Sequence, residues 1–228
     1  MARHNDILSQ ERHPGMTHSP DDLRLAELLA SRLCHDLVGP ISAISNGMEL
    51  LEEGMSDLDE EARRLVGDSA GQAAGALQFF RIAFGFGASP TDEPGQLRGL
   101  LETFLAHRKA TIGWPERLPA ERLPAGWGKL LLNMAALAAE ALPLGGRIEV
   151  VATVVDGHGQ LRCLSVGPDA GLRPEVAAAL DAGATVEAQT PRSVLGFYAA
   201  RVAARLGAAL AAEREAADRF ALTAVLPA

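Results

Sequence analysis

Residues 29–54, LASRLCHDLVGPISAISNGMELLEEG, decide the fold of the N-terminal part of this chain. Apolar side chains in and before this segment recur at steps of three and four, the spacing of one buried stripe on an α-helix. The stripe consists of Leu23, Ala26, Ala30, Leu33, Leu37, Ile41, Ile44, Met48 and Leu51. With Ala30, Leu37 and Ile44 at heptad position a, His35 falls at position f, opposite the stripe. The pattern predicts a long amphipathic helix that exposes a histidine.

The composition excludes several classes of function. The chain has 228 residues, enough for one large domain or two small ones. Its net charge of −8 and its lack of Lys/Arg runs argue against nucleic acid or an anionic membrane as a partner. Two distant cysteines, Cys34 and Cys163, build no disulfide framework, so we expect a cytoplasmic protein. No segment has the length and apolarity of a membrane span, and residues 1–20 are expected to form a disordered leader.

A second helix is predicted from about Leu58 to Phe86, after a short turn at residues 54–57. This helix is rich in Gly and Ala, and glycine costs roughly 1 kcal/mol per residue in a helix, so packing must stabilise it. Two long helices joined by a tight turn form an antiparallel hairpin, expected here over residues 21–88. Because a lone hairpin leaves apolar surface uncovered, we expect two copies to form a four-helix bundle in a homodimer.

The remainder of the chain, residues 95–228, has the pattern of an α/β sandwich. Helices are predicted at 95–108, 128–142, 174–181 and 193–206, and strands at 147–156, 160–166 and 220–226. Gly157-His158-Gly159 is expected to form the hairpin turn between the first two strands. This order predicts helices on one face of a mixed sheet, and therefore an α+β chain.

The segment His35-Asp36-Leu37-Val38-Gly39-Pro40-Ile41 resembles the H-box of sensor histidine kinases. A neutral imidazole is a good nucleophile toward phosphorus near neutral pH. The adjacent carboxylate of Asp36 can orient the ring or accept its proton. A single exposed histidine on a helix is usually only a solvated residue. Here the motif, the outward placement and the hairpin context favour His35 and Asp36 as catalytic residues.

The second half resembles the ATP-binding domain of the same kinases, with its nucleotide-binding residues replaced. Asn133 stands at the first Asn of the kinase N-box, whereas Leu137 replaces the Asn that holds Mg²⁺. Gly167 stands where the adenine-reading Asp belongs, and Gly196 alone remains of the phosphate-binding glycine loop. Mg²⁺ needs oxygen ligands, and backbone amides cradle phosphates only where glycine allows a close approach. We therefore expect no nucleotide cofactor and no metal site in this chain.

Over about residues 22–228, the chain resembles the ChpT-type histidine phosphotransferases of alphaproteobacterial phosphorelays. The matching segments are the CHDxxxP motif, LQFFRIAFG (77–85), LPLGG (142–146), GLRPEV (171–176) and the C-terminal AVLP. The resemblance implies that residues 21–88 dimerise and carry the phospho-accepting histidine. It also implies that residues 95–228 form a degenerate, Bergerat-type ATPase-like domain that helps to dock receiver domains.

The resemblance further implies that His35 relays phosphoryl groups between receiver-domain aspartates through phosphohistidine. The implied partners are the receiver domain of a hybrid histidine kinase (CckA type) and response regulators of the CtrA and CpdR types, with Mg²⁺ supplied by the receiver. Two alternatives remain open. One is a divergent sensor histidine kinase core that still binds ATP, and the other is a non-catalytic dimeric scaffold that sequesters response regulators.

Five further residues are predicted to share the outer face of the first helix with His35: Arg32, Gly39, Ser42, Ser45 and Asn46. Small and polar side chains beside the histidine would leave room for a helix of a receiver domain. A merely solvated helix face would explain them equally well.

Overall fold

The structure, a computed structural model, describes residues 20–53, 59–85 and 92–227, so residues 1–19 of the predicted leader and the predicted turn at 54–57 lie outside the described residues. Pro20, which the sequence assigned to the leader, begins the first helix. The α+β class is confirmed. In chain order the elements are α1 (Pro20–Glu52), α2 (Asp59–Ala83), α3 (Pro94–Leu105), β1 (Ala110–Gly113), α4 (Trp127–Glu140), β2 (Gly146–Val155), β3 (His158–Val166), α5 (Pro174–Ala178), α6 (Val194–Arg205), β4 (Leu210–Ala216) and β5 (Arg219–Leu226). Within this part of the chain, no helix combines the length and apolarity that crossing a membrane requires.

The two N-terminal helices pack along each other, and small residues set how closely they approach. A Cβ atom built on Gly47 of α1 would lie 2.6 Å from the Val66 side chain of α2. A Cβ built on Gly75 of α2 would lie 3.0 Å from the Thr103 side chain of α3. A side chain at either position would require the neighbouring side chain to shift, so glycine allows this close packing, which offsets its low helix propensity.

The sheet has five strands in the order β1-β2-β3-β5-β4. Strand β1 is parallel to β2, and the other neighbours are antiparallel, which confirms the predicted mixed sheet. In β2 the side chains of Ile148, Val150 and Ala152 are buried, whereas the alternate positions are exposed or half-buried. This period of two places the helices on one face of the sheet and leaves the other face open.

Two strands were not predicted from the sequence, and one turn was predicted a residue late. Strand β1 has only four residues, and β4 is rich in alanine and charge, so neither has a strong β-pattern. The β2–β3 turn is centred on Asp156 and Gly157, both with positive φ (51° and 82°), as a type I′ turn requires. His158 therefore belongs to β3 rather than to the turn.

The hairpin is attached to the α/β part through the end of α2. The rings of Phe79 in α2 and Phe104 in α3 stack with centroids 3.8 Å apart, in the core that continues into α4 and the sheet. The carbonyls at the end of α2 and in the two residues after it accept hydrogen bonds from α4 and α6. Asn133 Nδ2 donates to Ala83 O (3.1 Å), Tyr198 Oη donates to Phe84 O (3.4 Å), and Lys129 Nζ donates to Gly85 O (3.0 Å). These bonds satisfy carbonyls that a helix end otherwise leaves unpaired.

Candidate functional site

The His35 side chain lies on an open face of α1. It is 80% exposed, and Gly39, Ser42 and Asn46 are exposed four, seven and eleven residues further along the helix. This spacing places the four residues in one stripe, as predicted. A Cβ atom built on Gly39 would meet no other atom within 4 Å, so the space beside the histidine is empty. Ser45 is also exposed, and its hydroxyl donates to the carbonyl of Ile41 at 3.3 Å.

Asp36 touches the histidine ring and is itself largely shielded from solvent. Its Oδ1 lies 3.3 Å from His35 Nδ1, and its side chain is 12% exposed. A carboxylate at this nitrogen favours the tautomer that carries its proton on Nδ1. In that tautomer Nε2 keeps its lone pair, so Nε2 is the ring nitrogen that could act as a nucleophile.

The structure corrects the placement of Arg32, which the sequence put on the open face. Its side chain is only 15% exposed, because it forms ion pairs on both sides. Arg32 Nε donates to Asp36 Oδ2 at 3.2 Å, and Arg32 Nη2 donates to Glu140 Oε1 at 2.5 Å. Arg108 Nη2 lies 3.8 Å from the same Asp36 oxygen. We call these residues, Arg32, Asp36, Arg108 and Glu140, the buried charge network; Arg108, at its edge, is the exposed member.

The electrostatics of the network follow from its burial. Burial raises the pKa of Glu140, and the positive charge of Arg32 opposes that rise. Burial acts to lower the pKa of Arg32, but the Glu140 and Asp36 carboxylates outweigh it and raise that pKa. Burial lowers the pKa of Arg108. With two guanidinium and two carboxylate groups, the network is neutral overall and joins α1 to the end of α4.

Two cavities flank His35, between α1 and the α/β part of the chain. One has a volume of about 800 Å³ and the other about 390 Å³. Both are lined by Arg32, His35 and Arg192. Nearby, Leu28 of α1 is buried against Val194 and Phe197 in a small apolar cluster that fixes α1 against α6. The histidine therefore faces a preformed gap in the fold.

The residues that replace the kinase nucleotide set are all used in packing. Leu137 is fully buried in the core, and Asn133 donates its side-chain amide to Ala83 O and Lys129 O. A Cβ built on Gly167 would lie 2.3 Å from a neighbouring backbone oxygen, and one built on Gly196 would lie 2.8 Å from Val176 O. Among the described residues, no group of three or more His, Cys, Asp or Glu side chains is arranged to hold a metal ion.

Three residues of the site were missed by the sequence reasoning: Arg108, Glu140 and Arg192. Glu140 lies 108 positions from Arg32, so no local pattern connects them. A weak signal was available for Glu140, since it ends an otherwise apolar helix, where an unpaired carboxylate would be costly. Arg108 and Arg192 carry no such signal.

Comparisons with known proteins agree with this architecture. Residues 94–218 match the family model described as the histidine phosphotransferase C-terminal domain. The protein phosphotransferase ChpT of Brucella abortus (strain 2308) is 40% identical over 130 residues, which are 56% of this chain and 60% of the relative's length. The match thus spans less than two thirds of that relative. A solved structure described as a bacterial phosphotransferase is 31% identical, with a TM-score of 0.75, and the alignment covers 90% of this chain and 98% of that one.

Proposed function

Because the chain belongs to the ChpT-type histidine phosphotransferases, we propose that it transfers phosphoryl groups between receiver-domain aspartates through His35. The observation that carries this proposal is the state of His35 itself. The His35 side chain is 80% exposed, and its Nδ1 is held by a carboxylate that the buried charge network fixes in place. A merely solvated histidine would need no such support.

The proposed step uses only atoms of His35 and of the donor. The Nε2 lone pair attacks the phosphorus of an aspartyl phosphate, the N–P bond forms, and the P–O bond to the aspartate breaks. The aspartate leaves with the bonding electrons as a carboxylate. The ring gains positive charge, which Asp36 at Nδ1 stabilises, and the reverse sequence passes the group to a second receiver. Correct positioning supplies much of the rate, and Mg²⁺ bound by the receiver would supply the rest.

We further propose that the chain transfers phosphoryl groups without binding ATP. Supporting this, Leu137 is fully buried and offers no oxygen ligand for Mg²⁺. Gly167 and Gly196 pack against backbone atoms, which leaves no space for the side chain or phosphate contacts of a kinase. These observations favour the phosphotransferase over a divergent histidine kinase that still binds ATP.

A homodimer built on the hairpin is part of the same proposal. Leu23, Ala30, Ile41 and Met48 are exposed at steps of 7, 11 and 7 residues, so they form one stripe on α1. This stripe lies away from α2, and Leu77 of α2 is also exposed. A second hairpin would cover these side chains and complete a four-helix bundle.

The proposed partners are receiver domains: that of a hybrid kinase of CckA type, and response regulators of CtrA and CpdR types. The stripe of Gly39, Ser42 and Asn46 gives a receiver helix room beside His35, and Ser45 borders it. The guanidinium of Arg32 is paired with Asp36 and Glu140, so Arg32 stabilises Asp36 beneath this surface and does not contact a receiver directly in this proposal.

Incubation with a radiolabelled, phosphorylated receiver tests the proposal. We expect the label to appear on this chain as an acid-labile, alkali-stable phosphoramidate, and then to move to a second receiver. If the label leaves the first receiver only as inorganic phosphate, or never leaves it, the scaffold alternative is favoured instead.

A further inference from the structure

Arg192 is a cation beside His35 that the proposed mechanism does not use. It lines both cavities that flank the histidine. The other two arginines near Asp36, Arg32 and Arg108, are engaged by carboxylates of the buried charge network. Arg192 is exposed, and no carboxylate of the described residues lies within ion-pair distance of it. In a chain with a net charge of −8, this is an unpaired positive charge on the walls of the two cavities that His35 also lines.

The segment that carries Arg192 is held rigidly by its own hydrogen bonds. The buried Ser193 hydroxyl donates to Gln189 Oε1 at 2.9 Å and accepts from the Thr190 amide at 3.0 Å. Gln189 Nε2 in turn donates to Thr185 O at 2.8 Å. The amide of Arg192 donates to the Thr190 hydroxyl at 3.3 Å. Two buried polar side chains thus fix the backbone from which Arg192 extends.

We propose that Arg192 binds the phosphoryl group while that group enters, occupies and leaves His35. This rests on the proposed function and adds a residue to it. A phosphoryl group in transfer spreads negative charge over three oxygens, and the planar guanidinium of arginine contacts two of them at once. Arg192 forms no covalent bond, so the atoms and electrons of the transfer step are unchanged. It stabilises the charge that develops during transfer.

The other charged groups on the cavity walls fit this assignment. Glu175 lines the larger cavity, whereas Arg173 and Glu140 line the smaller one. Glu140 is paired with Arg32, which lines both cavities, so the charge of Glu140 is compensated. Asp36 is directed to Nδ1 of the histidine and is paired with Arg32, so its charge is compensated. Among the described residues, the two unpaired arginines on these walls, Arg173 and Arg192, therefore outnumber the one unpaired carboxylate, Glu175, and the cavities favour an anionic ligand.

The test uses the full-length protein, phosphorylated at His35 with phosphoramidate in the absence of any receiver. Arg192→Ala and Arg192→Lys are compared with Arg205→Ala, which removes the same charge from an exposed arginine of α6 outside both cavities. Phosphorus NMR follows the phosphohistidine resonance as a function of pH. A cation about 4 Å away lowers the pKa of the phosphoryl group by roughly 0.5–1 unit.

We expect the pH midpoint of the phosphohistidine titration to rise by that amount in Arg192→Ala and to return most of the way to the wild-type value in Arg192→Lys. In Arg205→Ala this midpoint should stay at the wild-type value. The rate of transfer from a phosphorylated receiver should fall roughly tenfold in Arg192→Ala. This loss is smaller than the one that follows removal of a fully buried hydrogen-bond donor to a transition state. An unchanged midpoint in Arg192→Ala would overturn the inference while leaving His35 as the acceptor. If neither phosphoramidate nor a receiver labels His35 in the wild type, the proposed function itself fails.

Discussion

Replacing Arg32 by Met tests whether the buried charge network holds the two parts of the chain together. Methionine keeps an unbranched, apolar stem of similar length but removes the guanidinium. Glu140, whose side chain is 20% exposed, then loses its cation, and Asp36 keeps the contact with His35 and the longer contact with Arg108. The variant therefore leaves a largely buried carboxylate without a partner.

The magnitude follows from that geometry. Removing one partner of a buried ion pair costs about 3–5 kcal/mol, and partial exposure of both side chains reduces this to about 2–3 kcal/mol here. For a chain of this size, such a loss lowers Tm by roughly 4–12 °C. The matched control is Arg98→Met, which breaks an exposed pair, Arg98 Nε to Glu102 Oε1 at 2.8 Å, and should cost below about 0.5 kcal/mol.

The pH dependence gives a second, independent readout. Burial raises the pKa of Glu140 above its ordinary value of 4.5, and without Arg32 it should rise further. An acid whose pKa is raised by folding contributes stability below its unfolded-state pKa and loses that contribution as the pH rises through its folded-state value. The deficit of Arg32→Met is therefore expected to be small near about pH 4 and to grow toward neutral pH.

Urea unfolding of the wild type, Arg32→Met, Arg98→Met and the double variant Arg32→Met/Glu140→Met measures these differences. The double variant removes both charges of the pair and should recover part of the lost stability. A deficit in Arg32→Met that equals that of the control, or that does not vary with pH, would refute this account of the network.

Three other predictions concern the fold, the dimer and the nucleotide. Leu37→Asp places a charge against the core within one chain and should unfold the protein. Ile41→Asp, at a side chain 53% exposed in the single chain, should only dissociate the proposed dimer. Light scattering and circular dichroism distinguish the two outcomes. Ser42→Arg should preserve the dimer but slow transfer by bulk beside His35, and an unchanged transfer rate would place the receiver on another face. Calorimetry should detect no binding of ATP with Mg²⁺ at millimolar concentration, and measurable autophosphorylation would contradict the loss of nucleotide binding inferred from Leu137.

The sequence predicted the elements that have strong internal periodicity. Helix α1 has a regular apolar stripe, and β2 alternates strictly, so both were found within a few residues of their observed ends. Strand β4 was missed because its exposed alanine and charged residues become a strand only by pairing with β5. Tertiary pairing, rather than local propensity, decides such an edge strand.

In the candidate site, too, local features could be predicted from the sequence and tertiary contacts could not. His35 was found because its motif and its helical position are both local features of the sequence. The pairing of Arg32 with Glu140 was not found from the sequence, because it depends on how α1 packs against α4. Helical geometry placed Arg32 near the histidine face, but the carboxylates on either side draw its side chain into the fold. The boundaries 21–88 and 95–228 and the partner-binding roles stay predictions.

The central claim, that His35 accepts the phosphoryl group, is tested most directly by His35→Ala in a relay between two purified receivers. His158→Ala is the matched control, since that histidine is exposed on β3 and bonds only to the nearby Asp156 carbonyl. We predict that His35→Ala keeps the fold, loses all labelling of this chain and stops transfer to the second receiver, while His158→Ala relays at the wild-type rate. Continued relay by His35→Ala would contradict the account.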